Sequence, residues 1–242
     1  MRRHTIAMDV LHINADQIED IEQMGSKQKF CFLLDGKRWL IKYPRPESGE
    51  HWAEVLAANV ADLLSIPAAE VLFAEFDGTK GSASRSFADK AMNQLLIHGN
   101  EILPDVVHKY EKHKRHRQRE HTVTNIVAAL SKMFKAEPDN YAAKHQMAGY
   151  LTLDAVIGNT DRHHENWAVI LTLFPGAKFR LEVAPTFDHA SSFGRELSDQ
   201  RRSDILAAGT VGKYIERGRG GGLLVTTGRK GNVSSRTLSA SC

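Results

Sequence analysis

Two short apolar runs near the start of the chain, Phe30–Leu34 and the centre of Lys37–Lys42, flank an Asp35-Gly36 pair. Asp-Gly between two such runs predicts a hairpin with a two-residue turn, because both turn positions need positive φ. Residues 1–23 carry only weak strand signals, and Pro44 and Pro46 end the second strand. Trp52, Val55, Leu56, Val60, Leu63 and Leu64 recur at helical spacing, which predicts a helix over His51–Leu64 stopped before Pro67. Val71–Phe76 reads as a strand with Asp77-Gly78 as its turn, and Ser84–Lys90 and Gln94–His98 read as strand and linker.

The pattern changes from about Leu103. Val123–Phe134 and Lys144–Ile157 have helical periodicity, separated by Pro138-Asp139, and Gly158 is a suitable C-terminal cap. Asn159–Asn166 comes next as a loop. Trp167–Leu173 and Lys178–Val183 then form a hairpin around Pro175-Gly176, Ala184–Ser192 is a loop, and Ser198–Ala208 reads as a short helix. A strand-rich part with one helix thus precedes a helix-rich part with one hairpin. The class expected is α+β in two lobes, 1–101 and 102–217. Gly218–Cys242, rich in Gly, Ser, Thr and Arg, reads as a disordered or non-native tail.

With 242 residues the chain is long enough to bury a core, and no apolar run is long enough to span a membrane. No signal peptide is evident. Cys31 and Cys242 form no pattern, Cys31 reads as a reduced core residue, and a reducing cytoplasm fits best. The net charge of +3 argues against nucleic-acid binding as the main activity. Positive charge does concentrate in His108–His121 (HKYEKHKRHRQREH), which reads either as a solvated segment or as a docking surface for an acidic partner or a phosphate backbone.

The candidate chemistry lies in Asn159-Thr160-Asp161-Arg162-His163-His164-Glu165-Asn166. Phosphoryl transfer needs a carboxylate for the substrate hydroxyl and oxygen ligands for Mg²⁺, and protein kinases place an Asp and an Asn five positions apart in one loop for these tasks. Asp161 and Asn166 have that spacing. Asn166 precedes the hairpin and Asp188 comes after it, and antiparallel strands bring their outer ends together, so Asn166 and Asp188 should approach one another as two metal ligands must. The structural alternative is that Asp161 and Asn166 merely cap turns. A second alternative is a transition-metal phosphohydrolase built on His163 and His164 with nearby Asp161, Glu165, Asp188 and His189, although adjacent histidines point apart.

In the first half, a two-residue turn sets Lys29 opposite Lys42, and like charges so placed call for an anion nearby: Glu54 on the next helix, or nucleotide phosphate. Gly25-Ser26 opens the preceding loop and could offer N–H groups to phosphate. There is no G-x-x-x-x-G-K pattern.

The runs MGSKQKF, RWLIKYPR, LIHGNE, IGNTDRHHENW and APTFDHASSFGREL together resemble the HipA-like serine/threonine kinases, in particular their short, HipT-like or stand-alone members. The resemblance covers about Gln23 to Arg217. It implies a protein-kinase-like bilobal fold that binds ATP and Mg²⁺. By position it implies Asp161 as catalytic base, Asn166 and Asp188 as metal ligands, and Lys42 on the nucleotide phosphates with Glu54 as its anchor. Gly25, Ser26 and Lys27 take the place of the phosphate-covering loop, and Ser26 that of an autophosphorylated serine. Leu96–Glu101, ending in Glu101, takes the place of the hinge that meets adenine. Relatives of this kind are often toxins held by an antitoxin, and some modify aminoacyl-tRNA synthetases. Two departures stand out. Phe187-Asp188-His189 lacks the glycine of the eukaryotic Asp-Phe-Gly triplet. Gly218–Cys242 does not resemble a continuation of the helical lobe, as a truncated or frame-shifted gene would explain; such a chain would be an inactive nucleotide- or partner-binding protein.

Overall fold

The computed structural model describes residues 10–20, 29–114, 118–195 and 197–217. The first part is a six-stranded sheet with one long helix: β1 (Val10–His12), β2 (Ile18–Asp20), β3 (Lys29–Leu34), β4 (Lys37–Lys42), α1 (Glu50–Leu63), β5 (Val71–Phe76) and β6 (Thr79–Arg85). The second part is β7 (Gln94–His98), α2 (Gly99–Ile102), α3 (Val123–Met133), α4 (Glu137–Ile157), β8 (Ala168–Phe174), β9 (Lys178–Val183), α5 (Asp199–Ala207) and α6 (Val211–Arg217). Spatial order in the large sheet is β1-β5-β6-β4-β3-β2; β7, β8 and β9 form a separate three-stranded sheet in that order.

The Asp-Gly signals act as expected. Asp35 and Gly36 have φ of 50° and 69°, Asp77 and Gly78 have 49° and 70°, and each pair joins antiparallel neighbours. The first turn sets Lys29 opposite Lys42, as two-residue geometry requires. Phe30, Phe32, Trp39 and Ile41 fill the inner face of β3–β4 and pack with Ile13, Ala74 and Ala83. Cys31 falls between Phe30 and Phe32 in a period of two, so it is half-buried on the opposite face rather than part of that core.

Three expectations need correction. The strand after Asp77-Gly78 starts at once, at Thr79, and ends at Arg85 instead of covering Ser84–Lys90. The long helix begins at Glu137, not Lys144: Pro138 lies in its first turn, where a missing N–H costs nothing, and Glu137 and Asp139 favour the helix N-terminus. On α1 the buried residues are Glu50, Ala53, Glu54, Val55, Ala57 and Ala61, so of the predicted apolar positions Val55 is buried while Leu56, Leu63 and Leu64 are exposed. The small side chains let α1 approach α4, where Ala57 and Ala61 pack on Leu153 and Ile157. This contact joins the two parts, and it places two glutamates where an apolar residue would ordinarily sit.

The second core surrounds Leu103, Ile126, Leu130, Met147, Tyr150, Trp167, Val169 and Val183. Gly158 ends α4 with φ of 64°, a conformation that side chains strain to adopt, and turns the chain into the 159–166 loop. Among the described residues, no helix is long and apolar enough to cross a membrane. Gly25, Ser26, Lys27 and the segment Gly218–Cys242 lie outside the described residues.

Candidate active site

Lys42 is the last residue of β4, opposite Ser82 of β6. Its neighbour in β6 must be small, since a Cβ on Gly81 would lie 2.6 Å from the Lys42 carbonyl oxygen. Lys42 Nζ lies 3.2 Å from Asp188 Oδ1. Burial alone would lower the lysine pKa, but Asp188 and then Glu54 outweigh it, and the ammonium is held above its ordinary value. The expected direct pair of Lys42 with Glu54 is replaced by this contact, and Glu54 acts on Lys42 through space.

Glu54 is 1% exposed. Burial pushes its carboxyl up to about 7; Lys42 and the backbone N–H groups of His189 and Ala190 pull the other way, while Asp188 adds repulsion. Its Oε2 is buried with no hydrogen-bond partner among the described residues. The cavity beside these groups is lined by Lys42, Glu50, His51, Glu54, Ser82 and Asp188. It unites one cation with three carboxylates.

The 159–166 loop is held by its own backbone. Asp161 N–H donates to Asn159 Oδ1 (3.0 Å), and Asp161 O accepts from His163 N–H (2.9 Å) and Asn166 Nδ2 (2.8 Å). Asp161 and Asn166 do shape a turn, as the structural alternative requires, but the turn uses the aspartate's main chain. No hydrogen bond among the described residues engages the Asp161 carboxylate, and the amide nitrogen of Asn166 is committed, so its oxygen is the end available to a cation.

Beneath the loop lies a polar cluster. Arg162 makes a two-pronged pair with Asp154 of α4 (Nε–Oδ2 2.7 Å, Nη2–Oδ1 2.8 Å) and donates to the Asn166 carbonyl. Its Nη2 also reaches Thr186 Oγ1 (2.9 Å) and His189 Nε2 (3.1 Å). One guanidinium therefore touches both flanks of the β8–β9 hairpin, Asn166 before it and His189 after it. Ala184 N–H donates to Ala168 O where the hairpin closes. The hairpin and Arg162 together bring the Asn166 and Asp188 segments to one place, as the antiparallel argument anticipated.

The remaining predicted positions lie farther out. Glu101 accepts from the His98 N–H (2.9 Å) and caps the short α2 on the exposed side. The rings of His163 and His164 stand at 86° to one another, and His164 Nδ1 lies 2.7 Å from Tyr110 Oη inside the second core. Among the described residues no group of three His, Cys, Asp or Glu could hold a metal ion, so the transition-metal reading gains no support. Sequence reasoning missed Asp154, Arg162, Thr186 and Glu50. Glu50 is buried between Arg45 and Arg195, each 3.5 Å from its Oε1. The signal for Glu50 was available: Glu50 and Glu54 lie one turn apart on an alanine stripe.

A lysine ending a strand, a buried helix glutamate, a catalytic-type loop and an aspartate after a hairpin, set between two lobes, define a kinase-like bilobal fold. Known proteins agree. The model of the HipA-like C-terminal domain matches residues 22–217, and the chain belongs to that family. The Helicobacter pylori proinflammatory kinase CtkA has a similar structure at 15% identity, with a TM-score of 0.70 over 86% of this chain and 68% of CtkA. HipA of Shewanella oneidensis MR-1, solved with HipB and operator DNA, is similar at 18% identity and a TM-score of 0.54. That match covers 71% of this chain and 44% of HipA, so the chain spans less than half of that relative. No curated protein sequence matches the chain.

Proposed function

We propose that this chain is an ATP- and Mg²⁺-dependent kinase that phosphorylates serine or threonine on a protein. The observation that carries the reading is the Lys42–Asp188 contact at 3.2 Å beside the buried Glu54. A lysine and a metal-binding carboxylate that neutralise one another here are the two groups a nucleotide triphosphate and its metal would separate. The orphaned Glu54 Oε2 fits an added ammonium or metal-bound water, and Asn166 and Asp188 supply the one or two oxygen ligands that Mg²⁺ ordinarily takes from protein. Bound Mg²⁺ supplies neutralising charge to the phosphates. Lys42 binds them from the sheet side. Asp161 orients the substrate hydroxyl and takes its proton as the hydroxyl oxygen attacks the γ-phosphorus and ADP leaves. Gly25, Ser26 and Lys27 cover the phosphates, and Glu101 ends the segment that meets adenine. Ser26 is the site of autophosphorylation, which would place about two negative charges where ATP phosphates bind and so inhibit.

The biological assignment rests on the relatives. Since a Shewanella HipA was solved with HipB and operator DNA, the chain is proposed as the toxin of a toxin–antitoxin pair in the cytoplasm, with an aminoacyl-tRNA synthetase as a candidate substrate. Incubation with radiolabelled ATP and Mg²⁺ tests the chemistry. Label should appear on protein, and Asp161→Ala should lower the rate by about 100-fold or more. Equal labelling of both would remove Asp161 from its role. Nucleotide-induced thermal stabilisation without transfer would make the chain a binding protein instead.

A further inference from the structure

Asp188 has φ of 59°, a left-handed conformation that strains a residue with a Cβ. Such a residue persists where its surroundings over-determine it. Both neighbours of Asp188 are anchored, and by different forces. Phe187 packs with Val55, Ala69 and Val71 on one side and with Ala168, Ile170 and Ala184 on the other, and its ring centroid lies 5.4 Å from that of Phe87. His189, 2% exposed, is held by polar contacts: its Nε2 lies 3.1 Å from Arg162 Nη2 and 2.8 Å from Thr186 Oγ1.

These contacts fix the state of the imidazole. Arginine only donates, so Nε2 must accept, and Thr186 can donate to it because its oxygen accepts from Arg162. The proton therefore sits on Nδ1, which faces Glu54 Oε1 at 3.9 Å. A neutral ring is consistent with burial first and Arg162 second, which depress its pKa to about 3. One ring thus touches the catalytic loop through Arg162 and the Lys42 cluster through Glu54, and it belongs to the residue after Asp188. The segment holding Thr186 is itself fastened to the first lobe: Ala69 N–H donates to Thr186 O and Thr186 N–H donates to Pro67 O, both at 2.9 Å.

We propose that His189 is a positioning residue whose clamp on Arg162 and Thr186 holds Asp188 in its left-handed conformation, with the carboxylate aimed at Lys42 and at the metal it would share with Asn166. The proposal rests on the kinase reading. The left-handed backbone of Asp188 is thus held by the side chain of the residue after it.

The test compares His189→Ala, His189→Gln and His189→Asn. Glutamine can present an oxygen near the position of Nε2, and asparagine cannot reach it. The first readout is binding, by electron paramagnetic resonance titration of Mn²⁺ in the presence of a non-hydrolysable ATP analogue; the second is the split between kcat and KM for ATP. Losing a partner that orients a metal ligand typically costs 10–100-fold in metal affinity or activity. His189→Ala and His189→Asn should therefore weaken Mn²⁺ binding about tenfold or more and lower kcat with little change in KM for ATP. His189→Gln should restore both to within about threefold of wild type, and His189→Asn should not. If the alanine variant does not fold, the Gln–Asn pair decides. Equal Mn²⁺ affinity in wild type and all folded variants would overturn the proposal. A wild-type chain that binds no nucleotide overturns the kinase reading, and this inference with it.

Discussion

Two charge clusters lie side by side in this protein, and they are built on opposite principles. Around Arg162 every strong group has a partner: Asp154 takes two hydrogen bonds, Asn159 Nδ2 adds a third at 2.8 Å, and Thr186, His189 and the Asn166 carbonyl take up the rest of the guanidinium. Around Lys42 one ammonium faces Asp188 directly and Glu54 through space, Glu54 retains an unpartnered oxygen, and the Lys42 and Asp188 side chains keep 28% and 41% exposure. The first cluster is satisfied by the chain itself. The second has carboxylate to spare, as a site must if it is to exchange its internal contacts for a ligand's. A closed network holds geometry, and an unfinished one binds.

The largest effect expected from this contrast is on stability. Removing one partner of a buried ion pair leaves a charge uncompensated and costs about 3–5 kcal/mol. Asp154→Ala should lose that much in urea denaturation, because it strands Arg162 at 3% exposure. Asp188→Asn, at a solvent-reached pair, should shift the midpoint by less than about 1 kcal/mol while abolishing phosphate transfer. If the two variants unfold at similar urea concentrations, the distinction between the clusters fails.

A second, smaller effect concerns pH. The Glu54 carboxyl is held at about 7 when folded, against an ordinary 4.5. The folded state therefore binds the proton more tightly, and Glu54 lowers stability as pH rises from about 4.5 to about 7. At roughly 1.4 kcal/mol per pH unit the loss is at most on the order of 3–4 kcal/mol. His189 has the reverse sign. Its folded value near 3 lies below 6.5, so its contribution is present above pH 6.5 and is lost as pH falls toward 3. In wild type the two trends oppose one another between about pH 4.5 and 6.5. Glu54→Gln should be more stable than wild type at pH 8, with the advantage shrinking to nothing near pH 4.5. Urea midpoints at the two values check it; a constant difference would mean that the Glu54 carboxyl titrates alike in the folded and unfolded states.

Much of this arrangement could be read from the sequence where local rules act. The Asp35-Gly36 turn set the register that places Lys42, the 159–166 loop announced itself by spacing, and the hairpin argument brought the flanks of β8–β9 together. The parts that stayed hidden depend on tertiary contact. The apolar period of α1 pointed to its leucines as well as to Val55, yet only Val55 of these is buried and the face toward α4 is the alanine stripe, because close approach to α4 outweighs leucine burial there. No local pattern marks Arg162 as buried; its place is visible only once Asp154, eight residues away across a helix end, is known to point inward. Pro138 read as a separator, although a proline is equally at home in the first turn of a helix, and only the packing of residues 140–147 on the second core decides between the two. Gly25 to Lys27, proposed from the sequence as a phosphate-covering loop, lie outside the described residues.

The smallest effect isolates the contribution of burial. Arg85 and Glu70 pair at 2.9 Å, nearly the distance of Arg162 to Asp154, but at 37% and 51% side-chain exposure. Geometry alone would rank the two pairs together. In water the charges are already well solvated, so forming the surface pair gains little and orders two side chains. A double-mutant cycle on Arg85 and Glu70 should give a coupling of about 0.2–1 kcal/mol. It should weaken further between low salt and roughly 1 M, where the screening length falls to about 3 Å. The Arg162–Asp154 contacts, sealed from solvent, should keep their coupling over the same range. A surface coupling as large and as insensitive to salt as the buried one would show that distance, not desolvation, sets these energies, and would remove the physical ground for separating the closed cluster from the open one.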